Sequence, residues 1–297
     1  MLTHELSRPV RPDRVVVVGA GGFVGSAIVR RLKVDGVEHV ALTRREVDLL
    51  GENVVADLAS FLQPQDAVVV VSAIAPVKAP AQLVANLQMA EAVGEVLAAV
   101  PVGHCVYISS DAVYADSADP ITESTACEPT TLHGMMHAAR ELMLKTAVKS
   151  PMAILRPSLL YGADDPHNGY GPNRFRRMAQ KGEAIALFGQ GEEKRDHVFV
   201  DDVARLVALA LAHRSRGVLN VATGVSTSFC EVAEKVCASV GRSVPIAGSP
   251  RQNPITHRFF DIVACHRAFP AFRYTPLDEG LAISAQAASV TEAAWQR

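Results

Sequence analysis

His133 and His137 stand four residues apart in the stretch "TTLHGMMHAARELML", residues 130–144. On a helix an i, i+4 pair shares one face, so both imidazoles are offered to the same neighbour. Three chemistries are open to such a pair. His133 could take and return a proton at a substrate oxygen, because a free imidazole titrates at about 6.5 and needs no tuning to work near neutrality. The pair could ligate a metal, as HxxxH at helical spacing does elsewhere. That needs a third ligand, and none is adjacent in sequence. Glu141 continues the face, Asp111 and His167 would have to arrive through the fold, and the glutamate that metalloproteases place inside the motif is replaced by Gly134, Met135 and Met136. Finally, the site could bind without turning anything over. The reading adopted is proton transfer by His133, with no metal.

A second motif supplies the context. "VVVVGAGGFVGSAIV" places Gly19, Gly22 and Gly25 at GxxGxxG spacing between a β-branched run and a helical one, with Phe23 and Val24 opening the helix. Glycines there let the backbone approach a pyrophosphate, and the helix N-terminus offers free N–H groups and a positive dipole end. At the end of the next strand an acid would hold the ribose of NAD, whereas arginine suits the 2′-phosphate of NADP. The chain has "TRRE", so Arg44 and Arg45 favour NADP over NAD.

The elements that must hold these residues follow from the hydrophobic pattern. Strands are predicted at 14–20, 39–43, 66–73, 103–110 and 152–160, alternating with helices at 25–36, 53–63, 81–99 and over the histidine pair. This is the pattern of an α/β, doubly wound parallel Rossmann sheet covered on both faces. After Tyr161 the pattern breaks into "GADDPHNGYGPN". A helix at 174–181 follows, then "AIALFG", and "HVFVDDVARLVALALAH" reads as a return to the main sheet, its last part an ordinary core helix. The expected organisation is a flexible leader (1–12), a dinucleotide-binding domain (13–163 plus 196–225) and a small discontinuous C-terminal substrate lobe (164–195 plus 226–297). Ligands of an open α/β sheet sit at the C-terminal ends of its strands, beside that lobe.

Bulk properties narrow the function. A formal net charge of −2 gives no polyanion-binding face, so nucleic acid is not an expected partner. The longest apolar run, "AVVVVSAIAPV" (67–77), is too short to span a bilayer, and the first residues lack the apolar core of a signal peptide. Five cysteines at 105, 127, 230, 237 and 265, without CxxC spacing, fit a reducing compartment. A cytoplasmic protein is expected.

The glycine loop, "YISSDAVYA" (107–115), "LRPSLLYG" (155–162), "KRDHVFVDDVA" (194–204) and "NVATGVSTSFCEVAEKV" (220–236) together resemble the extended short-chain dehydrogenase/reductases, the sugar-nucleotide epimerases, dehydratases and reductases. The likeness covers nearly the whole chain. "TRREVDLLGENVVADLASFL" is most similar to the NADP-dependent GDP-fucose synthase branch. The resemblance implies that Arg44 or Arg45 meets the 2′-phosphate, that Asp48 and Leu49 line the adenine pocket, and that Ser72 and Ala73 pass the cofactor ribose. Pro157 and Ser158 would lie beside the nicotinamide. Ser110 would orient the substrate oxygen, and Asn173, Arg195 and Arg251 would bind the nucleotide diphosphate of a nucleotide sugar. Arginine suits that task because its planar fork pairs two oxygens at once.

The family's tyrosine acid/base and its lysine, which binds the ribose, fall on His133 and His137. The resemblance therefore implies an NADP(H)-dependent oxidoreductase or epimerase-reductase in which imidazoles replace both, with His137 at the ribose. The alternative is a dinucleotide-binding regulatory protein that has lost turnover. Asp111 is followed by Ala112 where the family's dehydratases carry an Asp-Glu pair, which disfavours that elimination and leaves Asp111 as a substrate contact or a turn cap. His197 is expected as half-buried structure. Relatives often dimerise through two long helices, here 81–99 and 133–148, so a homodimer is expected.

Overall fold

Val15 to Val18 are all buried in β2 (Arg14–Val18), as are all four residues of β4 (Ala67–Val70) and all five of β5 (His104–Ile108). Strands buried at nearly every position need cover on both faces, and the computed structural model supplies it. It describes residues 1–251 and 254–295, from 288 on by backbone alone. With β3 (Glu38–Leu42), β6 (Met152–Pro157), β10 (Ser215–Val221) and β1 (Thr3–His4), these strands form a seven-stranded sheet in the order β3-β2-β4-β5-β6-β10-β1. All pairs are parallel except β1 with β10.

Helices α1 (Phe23–Val34) and α6 (Val200–Ala212) cover one face through Ile28, Leu32, Val203 and Leu206. The other face is covered by α2 (Val54–Phe61), α3 (Pro80–Ala99) and α4 (Leu132–Ala147), through Leu58, Val93 and Leu144. The chain leaves β2 toward β3 on one side and returns as β4 on the other. That reversal opens a crevice at the C-terminal ends of β2 and β4.

The smaller lobe contains α5 (Pro172–Lys181) and α7 (Phe229–Val240) around Phe175, Ile185, Leu187 and Val232. A two-stranded sheet pairs β8 (Ile185–Phe188) with β12 (Ile246–Ser249), and a three-stranded one runs β11 (Ser226–Ser228), β9 (Lys194–Phe199), β7 (Leu159–Tyr161). Two helices follow, α8 (Val263–Ala268) and α9 (Leu277–Trp295). Among the described residues no helix is long and apolar enough to cross a membrane.

Four expectations are corrected. Residues 1–12 are not a loose leader. Thr3 and His4 pair with Arg216 and Ser215, Leu2 is buried, and the backbone N–H groups of Leu6 and Val10 bond the carbonyls of His213 and Ala212. The segment is polar because it forms a sheet edge, with one apolar side chain turned in. The run 152–160 is two strands, with β7 leaving the main sheet after Ser158, and β9 pairs β7 rather than returning to the main sheet. Only α6 and β10 return. The lobe boundary shifts accordingly, because Cys265, Phe269 and Phe272 pack in the core with α1 and α6.

His104 carries a pH prediction. It is buried at the start of β5, its Nε2–H donates to Ser215 O at 2.6 Å, and burial pushes its pKa down to about 4. Between about 6.5 and 4 the unfolded chain takes up a proton that the folded chain refuses. Stability is therefore intact above about 6.5 and is lost as pH falls toward 4, by about 3 kcal/mol from this group. Urea unfolding of the protein and of His104→Asn across that range should show a steeper acid loss in the parent.

Candidate active site

Gly19 follows β2 with φ +99°, and a Cβ there would lie 2.5 Å from the Ser72 backbone nitrogen. Only glycine lets the loop turn at this point and close against the end of β4. No side chain caps α1 at Gly22, so the first N–H groups of that helix are left for a ligand. Beside them lies a cavity of about 470 Å³ lined by Gly19, Gly21 and Gly22, by the apolar Leu42, Val47, Leu49, Ile74 and Met89, and by Arg44, Arg45, Asp48, Ser72 and Ala73. Apolar walls, exposed helix N–H groups and two arginines at the rim suit the adenosine end and the phosphates of a dinucleotide. Arg44 extends into solvent and pairs with Asp48 at 3.1 Å. Gly25 and Phe23 act behind the loop: Gly25 packs on the Gly19 carbonyl, and the Phe23 ring backs against Gly162.

His133 sits in the first turn of α4, whose Thr131 cap accepts from the Gly134 N–H at 3.1 Å. Gly134 touches the Ala112 carbonyl so closely that a Cβ could not be accommodated. That contact sets His133 beside the turn carrying Ser110 and Asp111. Ser110 Oγ accepts from Ala112 N at 3.1 Å and lies 3.4 Å from Asp111 Oδ1. The His133 Nδ1 is buried without a partner. Burial lowers its pKa, the charge of Asp111 opposes that, and His167 adds to the lowering. A neutral imidazole poised to accept a proton is the result. His167, on an exposed loop, thus lies near enough for its charge to disfavour protonation of His133.

His137 departs from expectation. The expected place at the ribose does not fit its ring, which is only 6% exposed and turned toward the sheet, with Nδ1 3.0 Å from Tyr107 Oη. Its pKa is held well below that of a free imidazole, first by burial, then by the neighbouring His133 and Arg140. The two histidine rings meet edge to face with centroids 4.8 Å apart. Tyr107, on β5, is what turns His137 inward. Glu141 is equally committed: its oxygens accept from Ser109 Oγ at 2.6 Å and from Arg156 Nε and Nη2 at 2.8 and 2.6 Å. Among the described residues no three His, Cys, Asp or Glu side chains gather as a metal set.

The remaining predicted residues divide. Asp111 is buried and paired with Arg258 at 3.0 Å, and burial still raises its pKa. Arg258 also donates to the carbonyl of Tyr114 and to Asp116, so the C-terminal lobe is latched onto the Ser110 turn. Arg195 lies close to this latch, donating to Thr256 Oγ1 at 2.9 Å, with Asp116 at 3.9 Å. Asn173 and Ser158 are instead structural. The Asn173 amide takes Gly162 N–H at 3.0 Å and donates to Leu160 O, clamping β7 to α5. The Ser158 hydroxyl, following the buried Pro157, donates to Asp196 O at 3.0 Å rather than facing a ligand. Arg251 is held by Glu192 and Glu193. His197 is fully interior, packed on Phe229, with both ring nitrogens unpartnered and its pKa pushed down to about 3 by burial.

Nothing in the sequence marks out Arg258, Tyr107 or Arg140. Arg258 lies in a stretch without periodicity. Tyr107, in "YISSDAVYA", reads as an ordinary strand residue, and Arg140 as the polar side of a helix.

A glycine loop between strand and helix, a cavity at the sheet's reversal and a half-buried imidazole beyond it are the arrangement of a dinucleotide-binding α/β enzyme. The chain belongs to the NAD dependent epimerase/dehydratase family, whose sequence model matches residues 15–222. Among relatives, a dTDP-L-rhamnose 4-epimerase of Burkholderia thailandensis is 29% identical over 149 residues, 47% of this chain and 41% of that protein. A putative GDP-L-fucose synthase 2 of Arabidopsis thaliana is 30% identical over 77% of each chain. The fold is shared with a UDP-glucose 4-epimerase of Thermotoga maritima solved with UDP-glucose, at TM-score 0.84 and 22% identity, over 94% of this chain and 99% of that one.

Proposed function

We propose that this protein is an NADP(H)-dependent oxidoreductase or epimerase-reductase acting on a hydroxyl or carbonyl carbon of a nucleotide sugar, with His133 as the acid/base. The bound nicotinamide supplies or accepts the hydride. His133 takes the hydroxyl proton as the substrate carbon is oxidised and returns it on reduction, while Ser110 orients the same oxygen. The observation that carries this reading is the state of His133: a neutral imidazole with an unpartnered buried nitrogen, placed by Gly134 beside Ser110 and Asp111. Relatives named for thymidine, guanosine and uridine sugars support the nucleotide-sugar class and leave the base open. Arg195, beside the Arg258 latch, is the arginine best placed for the substrate diphosphate, whereas Arg251 would first have to leave two glutamates. The apolar groove of about 600 Å³ between α3 and α4, with Leu142 exposed beside Gly94 and Ala98, supports a homodimer through those helices. A cytoplasmic location remains part of the proposal on cysteine usage.

The choice of NADP rests on Arg44 and Arg45 at the cavity rim, where Asp48 pairs with Arg44 and the nearest acid to the strand end, Glu46, is tied to Thr43 and does not line the cavity. Arg44→Ser/Arg45→Ser is expected to weaken NADPH binding about tenfold to a hundredfold and to leave NADH nearly unchanged, as the loss of charge-assisted phosphate bonds requires. Fluorescence titration of the two reduced cofactors tests this, and an equal loss for both would contradict NADP selectivity.

A further inference from the structure

Arg140 is one of the largest fully buried side chains, at 0% exposure, and no carboxylate lies within ion-pair distance of it among the described residues. Its guanidinium is instead held by neutral groups. Nη1 donates to Asn86 Oδ1 at 3.1 Å, Nη2 to the Ser72 carbonyl at 2.7 Å, and the cation lies over the Tyr107 ring, 5.5 Å from its centroid. Nε has no partner. Asn86 is itself tied to both the N–H and the carbonyl of Ile74, so the two side chains together fix residues 72–74.

Those residues form one wall of the dinucleotide cavity, and the Ser72 backbone is what Gly19 closes against. A buried cation normally sits with a carboxylate, because a lone charge out of water is costly. Arg156 has Glu141, Asp66 has Arg14 and Asp111 has Arg258, whereas the buried Asp196 is held by neutral donors of Thr223, Gly224 and Ser158. Arg140 is a cation held by neutral groups alone, directly behind the Ser72 wall of the cavity.

We propose that Arg140 is a positioning residue of the cofactor groove: it fixes Ser72 at the groove wall and supplies the positive charge that the phosphates of a bound dinucleotide neutralise. The inference rests on the reading that the groove takes a dinucleotide. Its cost falls on the free protein and its benefit on the complex. It stands one helical turn beyond His137 on α4, and its charge contributes to keeping that imidazole neutral.

The test is binding of a charge series, adenosine, ADP and NADPH, by calorimetry, together with the unfolding midpoint without ligand. The proteins are the parent, Arg140→Met and Arg140→Gln, the last keeping a donor for Ser72 without the charge. Both variants are expected to lose on the order of tenfold in affinity for ADP and NADPH, and the glutamine variant, which keeps the Ser72 tie, to bind adenosine as the parent does and to unfold no earlier than the parent without ligand. If the methionine variant does not fold, the glutamine variant carries the same comparison. Variants that bind ADP as tightly as the parent overturn the inference. So does an equal loss for adenosine and ADP in the glutamine variant, or a drop in its ligand-free stability with unchanged affinity, either of which makes Arg140 a packing residue only. A parent that binds none of the three overturns the dinucleotide reading itself, and so is distinguishable from failure of the Arg140 inference.

Discussion

Replacing His133 by phenylalanine is expected to lower turnover by about 10²- to 10⁴-fold while leaving cofactor binding intact, because the ring volume stays and only proton transfer is lost. The imidazole lies beyond the dinucleotide cavity and lines none of it. In the direction that oxidises a substrate hydroxyl, the active form is neutral His133. Burial lowers its pKa, so activity should persist below pH 6.5 and fall only as acid protonates the ring. A tyrosine enzyme would instead lose activity as the phenol becomes protonated well into the neutral range. Rapid-mixing measurement of hydride transfer separates the two, since a fall in kcat without a change in cofactor Kd points to the proton step.

The second large effect is on stability. Glu141 and Arg156 form a buried pair at 2.6 Å, with Ser109 and Tyr114 completing the network: Ser109 Oγ donates to Glu141, and Arg156 Nη1 donates to Tyr114 Oη at 2.6 Å. Removing Glu141 leaves Arg156 as an uncompensated interior charge, and removing Arg156 leaves Glu141 with only the half-exposed Lys145 ammonium at 3.5 Å. Glu141→Leu is therefore expected to cost about 3–5 kcal/mol. Arg156→Met should cost a similar amount, and the double variant should recover most of the loss, because two apolar side chains then fill the space. Urea unfolding of the four proteins tests this. A double variant that loses the sum of the two would show that the pair contributes beyond mutual compensation.

Much of the scaffold is legible in the sequence for simple reasons. The strand cores are runs such as Val15–Val18 and Val68–Val70, apolar at every position, and only a two-faced parallel sheet buries such runs. The glycine loop is legible because its backbone demands are met by one residue type. What escapes is long-range. The pairing of Thr3–His4 with β10 joins residues over two hundred apart, and a polar edge strand resembles a loose terminus. The break at Ser158 is invisible because β6 and β7 are both apolar, and it appears only when β7 finds β9.

At the site, the turn bearing Ser110 and Asp111 and the helix bearing His133 are brought together as the motifs imply. The orientation of His137 is not, because a helical spacing specifies a face and not which neighbour, here Tyr107, claims the ring. Asn173 and Ser158 illustrate the same limit. A polar side chain at a binding position bonds the backbone or a ligand according to what the fold places within 3 Å of it, and here that is Gly162 and Asp196.

The central claim is that the chain moves a hydride and a proton on a nucleotide sugar with His133 as acid/base. The most direct test is single-turnover reduction of bound NADP by a panel of uridine, guanosine and thymidine diphosphate sugars, followed across mildly acid to mildly basic pH, in the parent, His133→Phe and His133→Tyr. The account predicts that the parent reduces its cofactor with at least one sugar, along an acid limb lying below pH 6.5, and that the phenylalanine variant does not. A parent that binds NADP and the sugars but transfers no hydride at any pH, while His133→Tyr does, would contradict it and make the protein a binding module on an enzyme's fold.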